Sequence, residues 1–247
     1  MDVGTSPAQE WRAVIQGLRA LLQGGQDFGL TPPRASTESL AYLNARASGA
    51  VPPPQGELKG GTLEELREVL GDCRRCPLHQ GRNHLVFGEG SSRAELVFVG
   101  EGPGAEEDRI GRPFVGEAGG LLTRIVRAMG LEREDVYICN VVKCRPPRNR
   151  DPQADEIRAC KPFLCRQLEL IEPKVICTLG RVAGKELLGK GFSMTRDRGG
   201  WAEYQGIPVM PTFHPAYLLR NASAKRPVWE DVQKIMKVLG VEGARDD

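Results

Sequence analysis

Four cysteines in two separated pieces carry the clearest chemistry: Cys73-Arg-Arg-Cys76, then Cys144 and Cys160. A CxxC pair joined by two thiols from a distant segment can close a four-thiolate metal cage. Spacing alone does not separate zinc from iron–sulfur. Arg145, Arg148, Arg150 and Lys161 are interleaved with the second pair, so metal scaffolding and phosphate-binding charge coincide. The combination points to a cofactor-stapled protein that handles nucleic acid.

A second constellation is polar and sits at the ends of apolar runs. Leu96–Gly100 leads into Gly100-Glu101-Gly102-Pro103-Gly104, followed by Glu106, Glu107 and Asp108. Val136–Val142 carries Asn140 and runs into Cys144-Arg-Pro-Pro, and Pro208–Phe213 ends at His214-Pro215. Ligands of open α/β sheets bind beyond the carboxyl ends of the strands. One acidic loop, one amide, one imidazole and one thiol are therefore expected along a single rim. The Gly-rich turn is no GxGxxG fingerprint, and no phosphate-loop lysine follows it, which argues against nucleotide hydrolysis.

The elements that must position these groups alternate. Strand-like runs at Leu96–Gly100, Val136–Val142, Val175–Gly180 and Pro208–Phe213 are separated by helical stretches at Ala118–Met129, Asp155–Ile171 and Arg181–Leu188, with a last helix near Pro227–Leu239. Continuous apolar strands between helices predict an α/β fold of three layers, α/β/α, around a central, mainly parallel four-stranded sheet. Trp201–Tyr204, a Gln205-Gly206 turn and Ile207–Met210 read as a hairpin on its edge. Thr62-Leu-Glu-Glu65 is a capping box opening the helix that delivers Cys73 and Cys76. Residues 1–61 form a predicted first region: a helix with Trp11, Val14, Ile15, Leu18, Leu21 and Leu22 on one stripe, then a flexible Pro/Gly/Ala-rich linker. That helix either folds back onto the main domain, 62–247, or docks a protein partner.

Composition sets outer limits. The 247 residues are 40% hydrophobic and 27% charged, with a net charge of +2, so any nucleic-acid surface is local. There is no run of 18 apolar residues and no basic-then-apolar leader pattern, which predicts a cytoplasmic protein without a membrane partner. Seven cysteines, an odd number, argue for reduced thiols rather than a secreted disulfide framework. Cys139 and Cys177, inside apolar strands, are expected to be buried core thiols. Cys165, five residues along a helix from Cys160, is expected to face away from it.

Six motifs in order make the chain resemble the family 4 uracil-DNA glycosylases from roughly Thr62 to Leu239. They are CRRCPL at 73–78, VFGEG at 86–90, GEGPGAEEDRIGRPFVGEAG at 100–119, YICNVVKCRPPRNRDP at 137–152, ACKPF at 159–163 and FHPAYLLRN at 213–221. The resemblance implies a [4Fe–4S] cluster on Cys73, Cys76, Cys144 and Cys160. It implies a monomeric enzyme that hydrolyses the N-glycosidic bond of uracil in single- or double-stranded DNA. The flipped base would stack on Phe114, worth about 1–3 kcal/mol but blind to base identity. Asn140 would donate to uracil O4 and accept from N3–H, a pattern cytosine reverses. Glu107 would exclude the thymine methyl. His214, with backbone N–H groups of Gly100–Gly102, would stabilise charge on O2.

A sister family has Asp at the position of Gly102, so water positioning passes here to Glu101, helped by Asn149. DNA would be held by Arg145, Arg148, Arg150, Arg220, Lys225 and Arg226, with Tyr217-Leu218-Leu219 as the wedge filling the vacated stack. No lysine falls among the pocket positions, so no lyase step is expected. The competing readings are a catalytically silent iron–sulfur module that only binds nucleic acid, and a different metal-stapled hydrolase.

Overall fold

The computed structural model describes residues 61–243. The predicted helix and nearly all of the linker before Gly61 lie outside the described residues. Helix α1, Leu63–Leu70, starts at Thr62, whose hydroxyl accepts from Glu65 N at 3.2 Å, while the Glu65 carboxylate accepts from Gly61 N at 2.6 Å. The capping box is therefore present, with its glutamate reaching one residue further out than the usual partner.

The chain continues through β1 (Glu89–Gly90), β2 (Leu96–Gly100), α2 (Ala105–Ile110), α3 (Glu117–Ala128) and β3 (Tyr137–Asn140). It then forms α4 (Ala154–Ile171), β4 (Val175–Leu179), α5 (Arg181–Leu188), α6 (Met194–Asp197), β5 (Ala202–Tyr204), β6 (Ile207–Thr212), α7 (Pro215–Arg220) and α8 (Lys225–Leu239). The strands form one sheet in the order β1-β3-β2-β4-β6-β5. The inner four, β3, β2, β4 and β6, are parallel, as their continuous apolar character requires.

Both edges are antiparallel, so the expected four-stranded sheet is a mixed six-stranded one. The β5–β6 hairpin matches the sequence expectation. Strand β1 does not: two residues, one of them glycine, carry no period to detect. Gly90 is there because a Cβ would collide with the backbone of Val136 and Tyr137.

Alternation along the central strands divides the core in two. Val97, Val99, Cys139 and Ile176 face α1, α4 and α5, where Leu66, Phe163, Leu164, Leu168 and Ala183 are buried. Leu96, Phe98, Ile138, Cys177 and Met210 face α3 and α8, where Leu122, Val126, Val232 and Ile235 are buried. This is the three-layer α/β/α arrangement expected. The connection after β2 crosses one face and that after β3 the other, so the strands' carboxyl ends open into a crevice between them.

Candidate active site and cysteine pocket

A cleft of about 350 Å³ opens at those carboxyl ends. Its walls bring together Glu101, Gly102, Glu107, Phe114, Asn140, Asn149, Arg150, His214 and Arg220, all singled out in sequence, from five separate segments. Gly100 does not itself line the cleft but packs against two residues that do, since a Cβ there would collide with Asn140 Oδ1 and the Phe114 ring. A Cβ on Gly102 would stand 2.7 Å from Val142 Cγ2, so a side chain at this position requires the Val142 side chain to give way. Among the described residues no lysine lines the cleft.

Asn140 ends β3 and is 1% exposed, yet among the described residues its Oδ1 has no hydrogen-bond partner. An unpaired buried acceptor costs about 1–3 kcal/mol, so its presence at a cleft wall calls for a donor from outside the protein. Phe114 is buried with φ 51°, an unusual backbone for a non-glycine residue. Its ring lies 5.5 Å from the His214 ring, centroid to centroid, at 30° between planes. The two rings and the amide thus converge on one volume.

His214 caps α7, and its Nδ1 accepts the Ala216 N–H at 3.1 Å. Nδ1 must therefore be unprotonated, which leaves the ring hydrogen on Nε2. Burial lowers the His214 pKa to about 4, with the Glu107 charge opposing, so the ring is neutral across the physiological range. Glu101 is shifted the other way. Burial, reinforced by Asp151 and opposed by Arg181, raises its carboxyl to about 7.

Glu107 lines the cleft, but both of its oxygens are engaged. Oε2 accepts from Gly104 N at 3.1 Å, and Oε1 accepts from Val115 N and Gly116 N at 2.9 Å each. It staples the Gly-Pro-Gly turn to the loop bearing Phe114. Arg133 clamps that loop from behind, donating to Phe114 O at 3.1 Å, Pro113 O at 2.8 Å and Thr123 Oγ1 at 3.1 Å, and pairing with Glu89. Sequence gave no signal for Arg133, because its role exists only once the loop has closed.

The cationic rim is partly committed. Arg150 makes a forked bond to Glu156, at 2.8 and 2.6 Å, and Arg145 Nε donates to Asn149 Oδ1 at 2.8 Å. Arg148 is exposed on a loop where it and Asn149 both have positive φ, 57° and 56°. Lys225 and Arg226 are exposed at the start of α8, Arg226 bonding Glu230 at 3.2 Å. The expected wedge needs correction at one position: Leu218 is 2% exposed and packs in the core with α3 and α8. Tyr217 and Leu219, 46% and 44% exposed, are the apolar side chains presented outward.

Cys73, Cys76, Cys144 and Cys160 line a second, small pocket between the end of α1, the exit of β3 and α4. Among the described residues no group of three or more metal-ligating side chains is closed to metal-holding geometry. The pocket nevertheless carries donors aimed at sulfur. Arg75 Nη1 lies 3.2 Å from Cys73 Sγ, Arg82 Nη1 3.3 Å from Cys144 Sγ, and the Lys143 backbone N 3.3 Å from Cys160 Sγ. Cys165 instead faces Tyr204 OH at 3.2 Å, and Cys139 and Cys177 are fully buried in strands.

Residues 87–233 match the family model of the uracil DNA glycosylase superfamily. Fold and cleft thus define the class. Curated relatives narrow it: the chain is 51% identical over 190 residues to the type-4 uracil-DNA glycosylase of Thermotoga maritima, spanning 74% of this chain and 99% of that protein. It is 48% identical over 186 residues to the type-4 enzyme of Sulfurisphaera tokodaii (72% and 84%), and 46% identical over 186 residues to that of Saccharolobus solfataricus (72% and 86%). The chain belongs to the type-4 uracil-DNA glycosylases. Among the described residues no helix is long and apolar enough to cross a membrane.

Proposed function

We propose that this chain removes uracil from DNA by hydrolysing the bond between the base and deoxyribose, the first step of base-excision repair. The observation that carries this reading is the orphaned Oδ1 of buried Asn140, set at a cleft wall beside Phe114 and His214. A flipped uracil brings the N3–H donor that this oxygen lacks, and its ring stacks on Phe114. The Asn140 amide then donates to O4. Cytosine offers an acceptor at N3 and a donor at C4, so both bonds become mismatches in a dry site. That discriminates by on the order of a thousandfold.

The bond that breaks is C1′–N1. Its electron pair leaves with uracil, and His214, fixed as the Nε2–H tautomer by Ala216, donates to O2 where the negative charge collects. A neutral donor suits this task, because it stabilises the anion without delivering a proton. Glu101 orients the water that adds to C1′ and accepts its proton as carboxylate. The exposed Tyr217 and Leu219, with Arg145, Arg148, Arg220 and Lys225, would hold the strand around the vacated position.

The four-cysteine pocket would hold a [4Fe–4S] cluster, and the fit rests on its all-thiol donor set and on the Arg75, Arg82 and Lys143 N–H groups directed at sulfur. The cluster would supply a cross-link among α1, β3 and α4; the bond-breaking step belongs to the cleft. The binding-module alternative lacks support from the cleft, where stacking ring, reading amide and anion stabiliser all converge.

Cleavage of labelled oligonucleotides bearing one uracil, single-stranded or opposite G or A, tests the reading. Scission that appears only after alkali, and that Asn140→Ala and His214→Ala each reduce at least about a hundredfold, is the expected result. Iron-loaded protein that binds these strands without producing abasic sites would establish the binding module instead.

A further inference from the structure

Lys143 is among the largest fully buried side chains in the molecule, at 1% exposure. Among the described residues its Nζ has no carboxylate within ion-pair distance. It donates to two neutral oxygens, the Asn140 carbonyl at 2.8 Å and Gln167 Oε1 at 2.5 Å. Gln167 is itself pinned from the other side, its Nε2 donating to Phe87 O and to Tyr137 OH, both at 2.9 Å. A fully buried amine costs desolvation, and its two hydrogen bonds fix the groups that accept them in one place.

What this one holds is the backbone of the base-reading residue. Asn140 is the last residue of β3, and just beyond it Val141 N donates to Gly100 O at the end of β2 and Val142 N to Glu101 O in the turn that follows. The Lys143 side chain folds back three residues and fixes the Asn140 carbonyl. The backbone N–H of the same lysine donates to Cys160 Sγ, and its neighbour is Cys144. One residue thus touches the cysteine pocket with its main chain and the reading residue with its side chain.

We propose that Lys143 is a positioning residue for Asn140, locking the end of β3 so that Oδ1 meets uracil N3–H, and that it joins the placement of Asn140 to the integrity of the cysteine pocket. This rests on the reading of Asn140 given above. Gln167 is the second member of the device. A misplacement of the reading amide by a fraction of an ångström weakens recognition of the base while leaving the DNA-binding rim untouched.

The test uses the iron-loaded protein and the variants Lys143→Met and Gln167→Met. The quantities measured are single-turnover excision at saturating uracil DNA, inhibition by free uracil, affinity for abasic-site DNA, and iron per chain. The expected result for Lys143→Met is excision about tenfold to a hundredfold slower, with free uracil inhibiting correspondingly more weakly. Affinity for abasic DNA stays within about twofold of the parent, because the rim residues are unchanged. Gln167→Met moves the same two quantities in the same direction, less far. A merely structural lysine would lower stability or iron content without separating uracil recognition from DNA affinity.

Folded, iron-loaded Lys143→Met with parental uracil inhibition and excision would overturn the proposal. If Lys143→Met does not fold, Gln167→Met decides alone, and parental uracil inhibition in it overturns the proposal equally. Failure of the underlying reading looks different: Asn140→Ala itself would then leave excision and uracil inhibition intact.

Discussion

The cleft and the cysteine pocket are built on opposite principles. In the cleft the supporting polar groups are satisfied by the protein: Glu107 by three backbone N–H groups, His214 Nδ1 by Ala216, the Phe114 carbonyl by Arg133. Asn140 Oδ1, buried at the cleft wall, has no partner among the described residues. The cysteine pocket is the reverse, four thiols, Cys144 buried and the others partly so, with N–H donors set toward three of the sulfurs. Burial pushes Cys76 up to about 11 and Cys160 up to about 12, so thiolates form there only with a cation to share them. A preorganised site needs the fold to exist first; a pocket stapled by the proposed cluster would help bring it about.

The largest expected effect follows from that difference. Cys144→Ser should lose iron and cooperative folding together, read by visible absorbance and by thermal melting, since it would remove a ligand of the proposed cluster and removes the sulfur that accepts from Arg82. A stable, colourless and fully active variant would refute the structural role of the pocket.

A cleft substitution should separate activity from folding. Arg133→Met frees the Phe114 loop, and excision is expected to slow about tenfold or more while iron content holds. The stability loss, by urea melting, should be about 1–3 kcal/mol, because Glu89 keeps Arg112 at 2.7 Å. Loss of iron in this variant would show that the Phe114 loop, and not only the end of β3, is coupled to the cysteine pocket.

The smallest effect concerns Glu101. Its raised pKa means that excision should increase with pH through about 7, as the carboxylate forms, and that Glu101→Gln should flatten this profile while slowing the reaction. The stability sign is opposite. A carboxyl whose pKa is raised on folding contributes stability at low pH that is lost as pH rises through about 7. Glu101→Gln should therefore melt higher than the parent above neutrality and much the same at pH about 5. A lower melting temperature at alkaline pH would contradict the burial account.

The two regions also differed in legibility. The strand runs, the Thr62 cap and the β5–β6 hairpin follow from local period and turn chemistry, and each falls within a few residues of its expected place. Sequence order placed Asn140, Glu101 and His214 at strand ends, which suffices for an α/β sheet to gather them. It could not show Arg133 or Gln167, whose partners lie 19 and 80 residues away and are met only in the closed fold. Lys143 left a faint trace, a lysine set within the apolar run Val141-Val142-Lys143-Cys144. Leu218 was misplaced in the wedge because three consecutive apolar residues on a short helix cannot all face outward; helical spacing turns the middle one into the core.

The most direct test of the central claim is a crystal structure of the iron-loaded protein with DNA containing a non-hydrolysable 2′-fluoro-deoxyuridine. The expected result is an extrahelical uracil on Phe114, its N3–H within hydrogen-bond distance of Asn140 Oδ1 and its O2 facing His214 Nε2. A base bound elsewhere, with Asn140 Oδ1 still unpaired, would contradict the account.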